Sequence, residues 1–244
     1  DTLSPTLYPM WQNISLRTAL LDRLGKVLYL ENDANLGAIG AHVWGEHREQ
    51  DLIFVKMDAG VGAGAVVNGS LIRGGQGLAG EIGHLIVDPD GPRCYCGQSG
   101  CLVQYVGRDA LVRISDDLGL TRNQDRPNDV YRALAEAADS LAYEKATESV
   151  ITALASAIQT MIYMLNPTAI VLGGLGATMP RLASRLNRRL SDLVPQLRQP
   201  NIHLLHQSES KPTVALGACA MVRAKAVKQP FLGLRQSTES AGVM

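Results

Sequence analysis

Short apolar runs alternate along the chain with longer amphipathic stretches. Strands are predicted for the short runs, at 26–31, 51–57, 65–67, 70–72, 169–172 and 201–205. Helices are predicted where apolar residues recur every three or four positions, at 14–24, 36–44, 107–118, about 141–165, from about 179, and 213–227. Asn68 and Gly69 predict a hairpin turn between two of the strands. Strands that alternate with helices around one hairpin predict an α/β fold.

Length and composition narrow the class of protein. The 244 residues are enough for one large domain or two small lobes, and 46% of them are apolar. Lys plus Arg number 23, as do Asp plus Glu, and this balance argues against a large nucleic-acid-binding face within the chain. No apolar run approaches the length of a membrane span, so we expect no membrane partner. The few cysteines fit a reducing, cytoplasmic location.

Three of the four cysteines lie in one glycine-containing loop, and a histidine lies shortly before it. Cys94, Cys96 and Cys101 supply three thiolates, and with the imidazole of His84 they make a closed tetrahedral zinc shell. The alternatives are free buried cysteines, or a disulfide from Cys101 to Cys94 or Cys96 that would leave one thiol unpaired. A closed shell has no open position for water, so we predict a structural zinc ion.

Polar residues gather at two corners of the predicted fold, where α/β proteins bind ligands. Asn32 and Asp33 follow a predicted strand, whereas Glu81 and His84 follow a glycine-rich loop. Carboxylates accept hydrogen bonds from hydroxyl groups and Asn both donates and accepts, so this set suits a polyhydroxylated ligand. His84 would use one ring nitrogen for zinc and could offer the other to that ligand. Helix capping by Asn32 or Asp33, with Glu81 as a surface charge, explains the same residues equally well.

Several sequence segments together resemble the ROK family of repressors and sugar kinases. They are ENDAN at 31–35, GVGAG at 60–64, AGEIGH at 79–84, CYCGQSGCL at 94–102 and IVLGG at 170–174. The resemblance runs from about residue 8 to residue 228. It implies the two-lobed actin-like ATPase (ribonuclease H-like) fold, of which this chain would hold mostly the C-terminal lobe with its zinc-binding loop.

The resemblance also implies roles for the residues of both corners. The sugar contacts would be Asn32, Asp33, Glu81 and His84, and the zinc ligands would be His84, Cys94, Cys96 and Cys101. In the kinase members of the family, the residue at Asp33 is the catalytic base. It takes a proton from the sugar hydroxyl that attacks the γ-phosphate.

Three departures from the family pattern bear on function. A glycine-rich phosphate segment that opens the N-terminal lobe is missing, so we expect a fragment of a longer protein. The second phosphate loop, usually Gly-Thr-Gly, has Asp58, Ala59 and Gly60, which places a carboxylate where it would repel a polyphosphate. A Glu that is common two residues after the last cysteine is replaced by Val103, which should weaken or alter sugar recognition.

Asp58 and Val103 favour the repressor branch of the family. We expect the sugar-sensing, effector-binding and oligomerisation region of a ROK transcriptional regulator, which would bind DNA only through a domain absent from this chain. Its partners would be a sugar or sugar phosphate and its own copies, as a homodimer or tetramer. The alternative is a fragment of an ATP-dependent hexose or N-acetylhexosamine kinase with Asp33 as base. A third possibility is a degenerate member whose zinc loop serves only protein contacts.

The expected organisation has four parts. Residues 1–30 would be a remnant of the N-terminal lobe, and 31–212 would form the C-terminal lobe that binds sugar and zinc. A closing helix would follow at 213–228, with Cys219 as an inert core thiol, and 229–244 would be a mobile tail.

Overall fold

The computed structural model describes residues 15–26, 28–46, 48–126, 128–194, 203–206 and 213–226. The strands are β1 (Leu52–Met57), β2 (Val61–Val67), β3 (Ser70–Leu71), β4 (Ala169–Gly173) and β5 (His203–His206). The helices of the described residues are α1 (Leu16–Leu24), α2 (Asp33–Trp44), α3 (Val103–Val106), α4 (Arg108–Asp117), α5 (Asp129–Glu136), α6 (Leu141–Ala146), α7 (Glu148–Leu165), α8 (Leu182–Leu193) and α9 (Thr213–Ala226). The tail predicted at 229–244 lies outside the described residues.

The strands form one mixed sheet in the order β3-β2-β1-β4-β5. β1, β2 and β3 are successive antiparallel neighbours, while β1, β4 and β5 run parallel. The predicted hairpin is confirmed at Asn68 and Gly69, which have φ of 49° and 66°. A type I′ turn needs positive φ at both central positions, which Asn and Gly tolerate best. β1 and β4 end at the same edge of the sheet, and β2 begins there.

Helices cover both faces of this sheet. β1 contributes Ile53 and Val55 to an apolar cluster shared with α7 and α8, and Leu52 and Phe54 to a second cluster shared with α2 and α9. A strand that is buried on both faces reads as a nearly continuous apolar run, as the sequence of β1 does. Lys56 is the only charged residue of this strand.

Close packing of α9 on α2 fixes the position of α2 over the sheet. A Cβ at Gly217 would overlap the carbonyl oxygen of Leu36, and a Cβ at Gly40 would overlap that of Thr213. Glycine therefore allows the two helix backbones to approach each other directly. Because α2 begins at the edge where β1 ends, this contact also positions the first turn of α2.

Two predicted elements are wrong. None of the described residues of the strand predicted at 26–31 lies in a strand, and Tyr29 and Leu30 are both exposed rather than packed in the core. The long helix predicted at about 141–165 is two helices, α6 and α7, which meet at Thr147. The Thr147 hydroxyl donates to the backbone carbonyl of Tyr143, a local bond of the kind that competes with helix continuation.

β2 is longer than predicted because its glycines serve packing. It begins at Val61, whereas the sequence pattern predicted a strand from Ala65. Gly64 lies against the backbone of Ala34 and Asn35 in α2, where a Cβ would overlap. The small residues that weaken the apolar pattern of this strand therefore let α2 lie close to the sheet.

α7 and α9 bear on two further expectations. α7 has 18 residues and a mean hydropathy of 1.3, so it is long and apolar enough to cross a membrane by length and composition alone. Half of that window is buried within the domain, as in the core helix of a globular fold, and this is weak evidence for a span. Cys219 is exposed, because the buried side of α9 carries Gly217, Ala220, Met221 and Ala224 instead. The prediction of a core thiol is wrong.

Candidate functional site

A cleft of about 420 Å³ opens at the edge of the sheet where β1 ends and β2 begins. The first turn of α2, the β1–β2 loop, the turn at 81–84 and the segment at 103–113 form its walls. The structure brings together all four residues that were expected to contact a sugar. They are Asn32, Asp33, Glu81 and His84.

The start of α2 supplies the first pair. The side-chain oxygen of Asn32 accepts hydrogen bonds from the backbone amides of Ala34, at 2.8 Å, and Asn35, at 3.2 Å. Asn32 is therefore the N-cap that the alternative explanation predicted, and it also lines the cleft. Asp33 is the first residue of the helix, where a carboxylate is favoured by the helix dipole. Its side chain is more than half exposed, and none of the described hydrogen bonds uses it to cap the helix.

Lys56 lies at the base of the cleft between two carboxylates. Its ammonium is 3.2 Å from Oδ2 of Asp33 and also forms an ion pair with Asp58. Burial alone would lower the pKa of Lys56, but the ion pairs with Asp58 and Asp33 outweigh it and raise this pKa. The side chain is therefore charged at neutral pH. Sequence reasoning missed Lys56, although a lone charge inside an apolar strand was a usable signal.

The turn at 82–84 presents Glu81 and His84 to the cleft. It is anchored by Gly80, whose carbonyl accepts from the Ala63 amide at 2.7 Å and whose φ is 92°. A Cβ at Gly80 would overlap the Ala63 carbonyl oxygen, so this approach needs glycine. Burial, with a smaller contribution from the nearby Asp33 carboxylate, raises the pKa of Glu81. Burial lowers the pKa of His84 and so favours its neutral imidazole.

The remaining wall holds Val103, whose position the family pattern assigns to sugar recognition, and residues that sequence reasoning had not placed in a site. Val103, the position where the family pattern has Glu, is buried and lines the cleft beside Gln104. Arg113 donates to the Gln104 carbonyl at 2.8 Å. The Tyr95 hydroxyl lies 3.2 Å from Nε2 of His84, with the two rings edge to face. These side chains come from α3, α4 and the cysteine loop, which only the fold brings to one place.

Local backbone contacts build the cysteine loop. Isolated bridges join Ile86 to Cys101 and Arg93 to Ser99, and the Cys94 amide donates to the Gln98 carbonyl at 2.8 Å. These bonds fold residues 93–101 back on themselves. The sulfur atoms of the loop consequently point to one centre.

The predicted metal ligands form one group at that centre. Nδ1 of His84 is 3.7 Å from the sulfur of Cys94, and the sulfurs of Cys96 and Cys101 are 3.6 Å apart. All four ligand atoms lie within 4.8 Å of one another. A sulfur separation of 3.6 Å is well beyond the S–S bond length of about 2.05 Å, so the disulfide alternative is not formed. The group could hold a metal ion.

The electrostatics of the thiols suit a cation. Burial raises the pKa of Cys101 to about 12, and the neighbouring thiols of Cys96 and Cys94 add to this effect. Burial would also raise the pKa of Cys94, but hydrogen bonds that involve Cys96 and Cys101 outweigh it and lower this pKa. Three thiolates at this distance repel one another, and a bound divalent metal ion removes that repulsion.

The chain belongs to the ROK family, whose profile matches residues 2–225. It is 32% identical over 181 residues to the glucokinase of Thermotoga maritima, covering 68% of this chain and 56% of that protein. It is 28% identical over 217 residues to the xylose repressor of Bacillus spizizenii, covering 87% of this chain and 54% of the repressor. The chain thus spans about half the length of these curated relatives. The family includes both kinases and repressors.

Solved structures of the family have the same fold. A ROK glucokinase from Streptomyces griseus in complex with glucose and AMPPNP matches 87% of this chain and 73% of its own, with a TM-score of 0.74 and 25% identity. A ROK transcriptional regulator, a homologue of the E. coli MLC protein, matches 87% of this chain and 56% of its own, with a TM-score of 0.72 and 21% identity. The predicted actin-like ATPase (ribonuclease H-like) fold is confirmed.

Proposed function

We propose that this chain is the sugar-sensing, effector-binding region of a ROK-family transcriptional regulator. The observation that carries the proposal is the bridge from Lys56 to Asp33 and Asp58 at the base of the cleft. A kinase base must be available to a sugar hydroxyl. Here the carboxylate of Asp33 is engaged by a lysine that a second carboxylate holds in place.

The second phosphate loop supports the same conclusion. A phosphoryl-transfer site gathers cations and backbone amides around the phosphates. Asp58 instead brings a carboxylate to this loop, and Ala59 lacks the hydroxyl of the usual Thr. The positive charge that is nearest to the loop, Lys56, is already shared between Asp33 and Asp58.

The charges that line the cleft favour an uncharged sugar over a sugar phosphate. Asp33, Glu81 and Asp109 are acidic, whereas Lys56 and Arg113 are basic. Just behind the lining, Asp58, bound to Lys56, adds one negative charge, and Arg108, 3.9 Å from Asp109, adds one positive charge, so one acidic group remains in excess. A phosphate dianion would meet this acidic excess, while sugar hydroxyls can donate to the carboxylates.

We infer that the metal is a structural zinc ion. Donor atoms about 2.3 Å and 2.0 Å from a tetrahedral centre, the Zn–S and Zn–N lengths, are separated by about 3.5–3.8 Å. The two close pairs, His84 with Cys94 and Cys96 with Cys101, are 3.7 Å and 3.6 Å apart. Three thiolates and one imidazole leave no open position. Zinc here would hold the loop and orient His84, without a part in chemistry.

The wider organisation completes the proposal. Residues 31–212 would be the sugar- and zinc-binding lobe, 213–228 its closing helix, and 1–30 a remnant of the N-terminal lobe. The regulator would act as a homo-oligomer and bind DNA through a domain outside this chain. Sugar binding would change DNA binding through this assembly, which is a coupling between two sites.

A sugar kinase is the second candidate. Asn32 and Asp33 both line the cleft, where a sugar and its base would be needed. The 32% identity to a glucokinase supports this candidate, with Asp33 as the base. Release of Asp33 from Lys56 on substrate binding would be required.

Calorimetry and ADP release on the same samples separate the candidates. We would titrate the full-length protein that contains this chain with D-xylose, D-glucose, N-acetyl-D-glucosamine and D-glucose 6-phosphate, then assay ADP release with MgATP. A sensor binds a neutral sugar without ADP release, and Asp33→Asn keeps most of the affinity. Asp192→Asn is the matched control, since Asp192 is exposed on α8 outside the cleft.

Each outcome has a definite meaning. Sugar-dependent ADP release that is lost in Asp33→Asn would make the protein a kinase and overturn the proposal. Turnover that survives in Asp33→Asn would exclude Asp33 as the base. Tighter binding of glucose 6-phosphate than of any neutral sugar would overturn the charge argument. The absence of both binding and turnover would favour the third possibility, a loop that serves only protein contacts.

A further inference from the structure

The loop that precedes Glu81 has little packing of its own. Residues 74–78 are all exposed, and Gly74, Gly77 and Gly80 have φ of 72°, 74° and 92°. Glycines in this region give a backbone many accessible conformations. Some contact outside the loop must therefore restrict where Glu81 lies.

Arg73, at the start of this loop, makes that contact with Glu31. Nε and Nη2 of Arg73 donate to Oε2 of Glu31 at 3.0 Å and 2.6 Å. Oε1 of Glu31 accepts from the Asn32 amide at 3.1 Å and from the Asn35 side chain at 2.9 Å. The Glu31 side chain is only 11% exposed, so this is a partly buried pair rather than a surface contact. One carboxylate thus joins the loop to the start of α2.

Arg73 also closes the stem of the loop. Its carbonyl accepts from the Ala79 amide at 3.1 Å, and the next residue, Gly80, is bound to Ala63 of β2. The guanidinium is therefore fixed to α2 while the backbone of the same residue holds the loop end beside Glu81. Neither Glu31 nor Arg73 is among the cleft-lining residues.

We propose that Arg73 and Glu31 form a clamp that sets the distance between the two halves of the sugar site. One half is Asn32 and Asp33 on α2, and the other is the turn that carries Glu81. Both members of the clamp are positioning residues, and the proposal rests on the proposed sugar binding. Preorganisation of a loop raises affinity because less freedom is lost on binding.

Arg73→Ala should weaken the affinity for the neutral sugar by about tenfold. Arg73→Lys keeps the charge but loses the two-nitrogen fork, so it should recover part of the affinity. Calorimetry measures the affinities, while elemental analysis and thermal unfolding confirm that metal content and fold are kept.

Arg122→Ala is the matched control. Arg122 donates to both oxygens of Asp116 at 2.9 Å and 3.1 Å, a comparable pair outside the cleft. Its loss should lower stability and leave sugar affinity unchanged. An equal loss of affinity in Arg122→Ala and Arg73→Ala would mean general destabilisation and would overturn the clamp.

Amide hydrogen exchange tests the clamp without a ligand. In Arg73→Ala, the amides of residues 79–84 should exchange faster than in the wild type. In Arg122→Ala, the same amides should exchange at the wild-type rate. Unchanged exchange at 79–84 would overturn the clamp whether or not sugar binds. If the wild type binds no sugar but Arg73→Ala shows the faster exchange, the proposed function fails and the positioning role stands. If Arg73→Ala does not fold, Arg73→Lys gives the same readouts.

Discussion

The cysteine loop and the polar cleft are adjacent, and His84 belongs to both, yet they are built in opposite ways. All four potential metal ligands lie between residues 84 and 101, and short-range backbone bonds aim them at one centre. The cleft instead takes side chains from α2, β1, the turn at 82–84, α3 and α4. The loop is a local construction, whereas the cleft exists only when the sheet and the helices have assembled.

This difference has a consequence for robustness. A local site concentrates its free energy in one ion, so a single ligand change should abolish it. In a distributed site the free energy is divided among many weak contacts, so each single change should have only a partial effect.

Cys96→Ser should have the largest effect. Loss of one thiolate opens the shell, and we expect the zinc affinity to fall by more than about 100-fold, since even supporting residues outside a metal shell contribute about 10- to 100-fold. Elemental analysis should show no retained zinc, and exchange at residues 84–101 should rise. Amides of α2 and α9 should remain protected, because that packing is independent of the loop.

Cys219→Ser is the control for this variant, since Cys219 is an exposed thiol on α9. It should keep full metal content. Unchanged zinc in Cys96→Ser would remove that residue from the shell. Loss of protection throughout the molecule would instead show that the loop supports the whole fold.

The same contrast explains what could be predicted from sequence. Cys94, Cys96, Cys101 and His84 were identified as a group because their spacing alone carries the chemistry. Lys56 was missed, since its role depends on the register of β1 beside α2. Which residues line the cleft depends on contacts between segments that are far apart in the sequence. The apolar periodicity of each segment does not predict those contacts.

The fold shows the same limit. Strands and helices are predicted where the apolar signal is strong, as in the nearly continuous apolar run of β1 and the apolar face of α8. The helix break at Thr147 coincides with a hydroxyl that bonds the Tyr143 carbonyl, a local feature that the apolar stripe does not reveal. The composition of α9 does not show which of its faces contacts α2, so the sequence places Cys219 in the core. The contact with α2 instead leaves Cys219 exposed.

Lys56→Met should have the next largest effect. Asp33 and Asp58 would lose their shared counter-ion, and we expect about 1–2 kcal/mol of destabilisation, discounted because Asp33 is largely exposed. This corresponds to a Tm about 2–8 °C lower for a chain of this size. Zinc content should not change, because the pair lies outside the cysteine loop. Thermal unfolding and elemental analysis measure both.

Two further variants test the cause. Lys56→Met with Asp58→Asn should recover part of the lost stability, since one of the two facing charges is removed. Lys145→Met, on the exposed side of α6, should stay within about 0.5 kcal/mol of the wild type. Equal destabilisation by Lys56→Met and Lys145→Met would mean that the bridge has no energetic role.

Val103→Glu should have a moderate effect that is confined to the cleft. The carboxylate restores a hydrogen-bond acceptor on the wall formed by α3, and one such charged bond should tighten hexose binding by about tenfold. Val103→Gln, a neutral acceptor of similar length, should give a smaller gain. Calorimetry measures both. Weaker binding in a folded Val103→Glu protein would show that this wall contacts an apolar part of the sugar.

Tyr95→Phe should have the smallest effect, although Tyr95 lies between two potential metal ligands and also lines the cleft. Its hydroxyl bonds Nε2 of His84, but the side chain is 64% exposed, so water can replace the lost partner. We expect the zinc affinity to fall by at most about tenfold, the lower end for a residue that supports a metal-binding His. Competition with a zinc indicator measures this change, and Tyr163→Phe, on the exposed side of α7, is the control. A fall as large as that of Cys96→Ser would mean that the metal site depends on the cleft side of His84, and the division between a local loop and a distributed cleft would no longer hold.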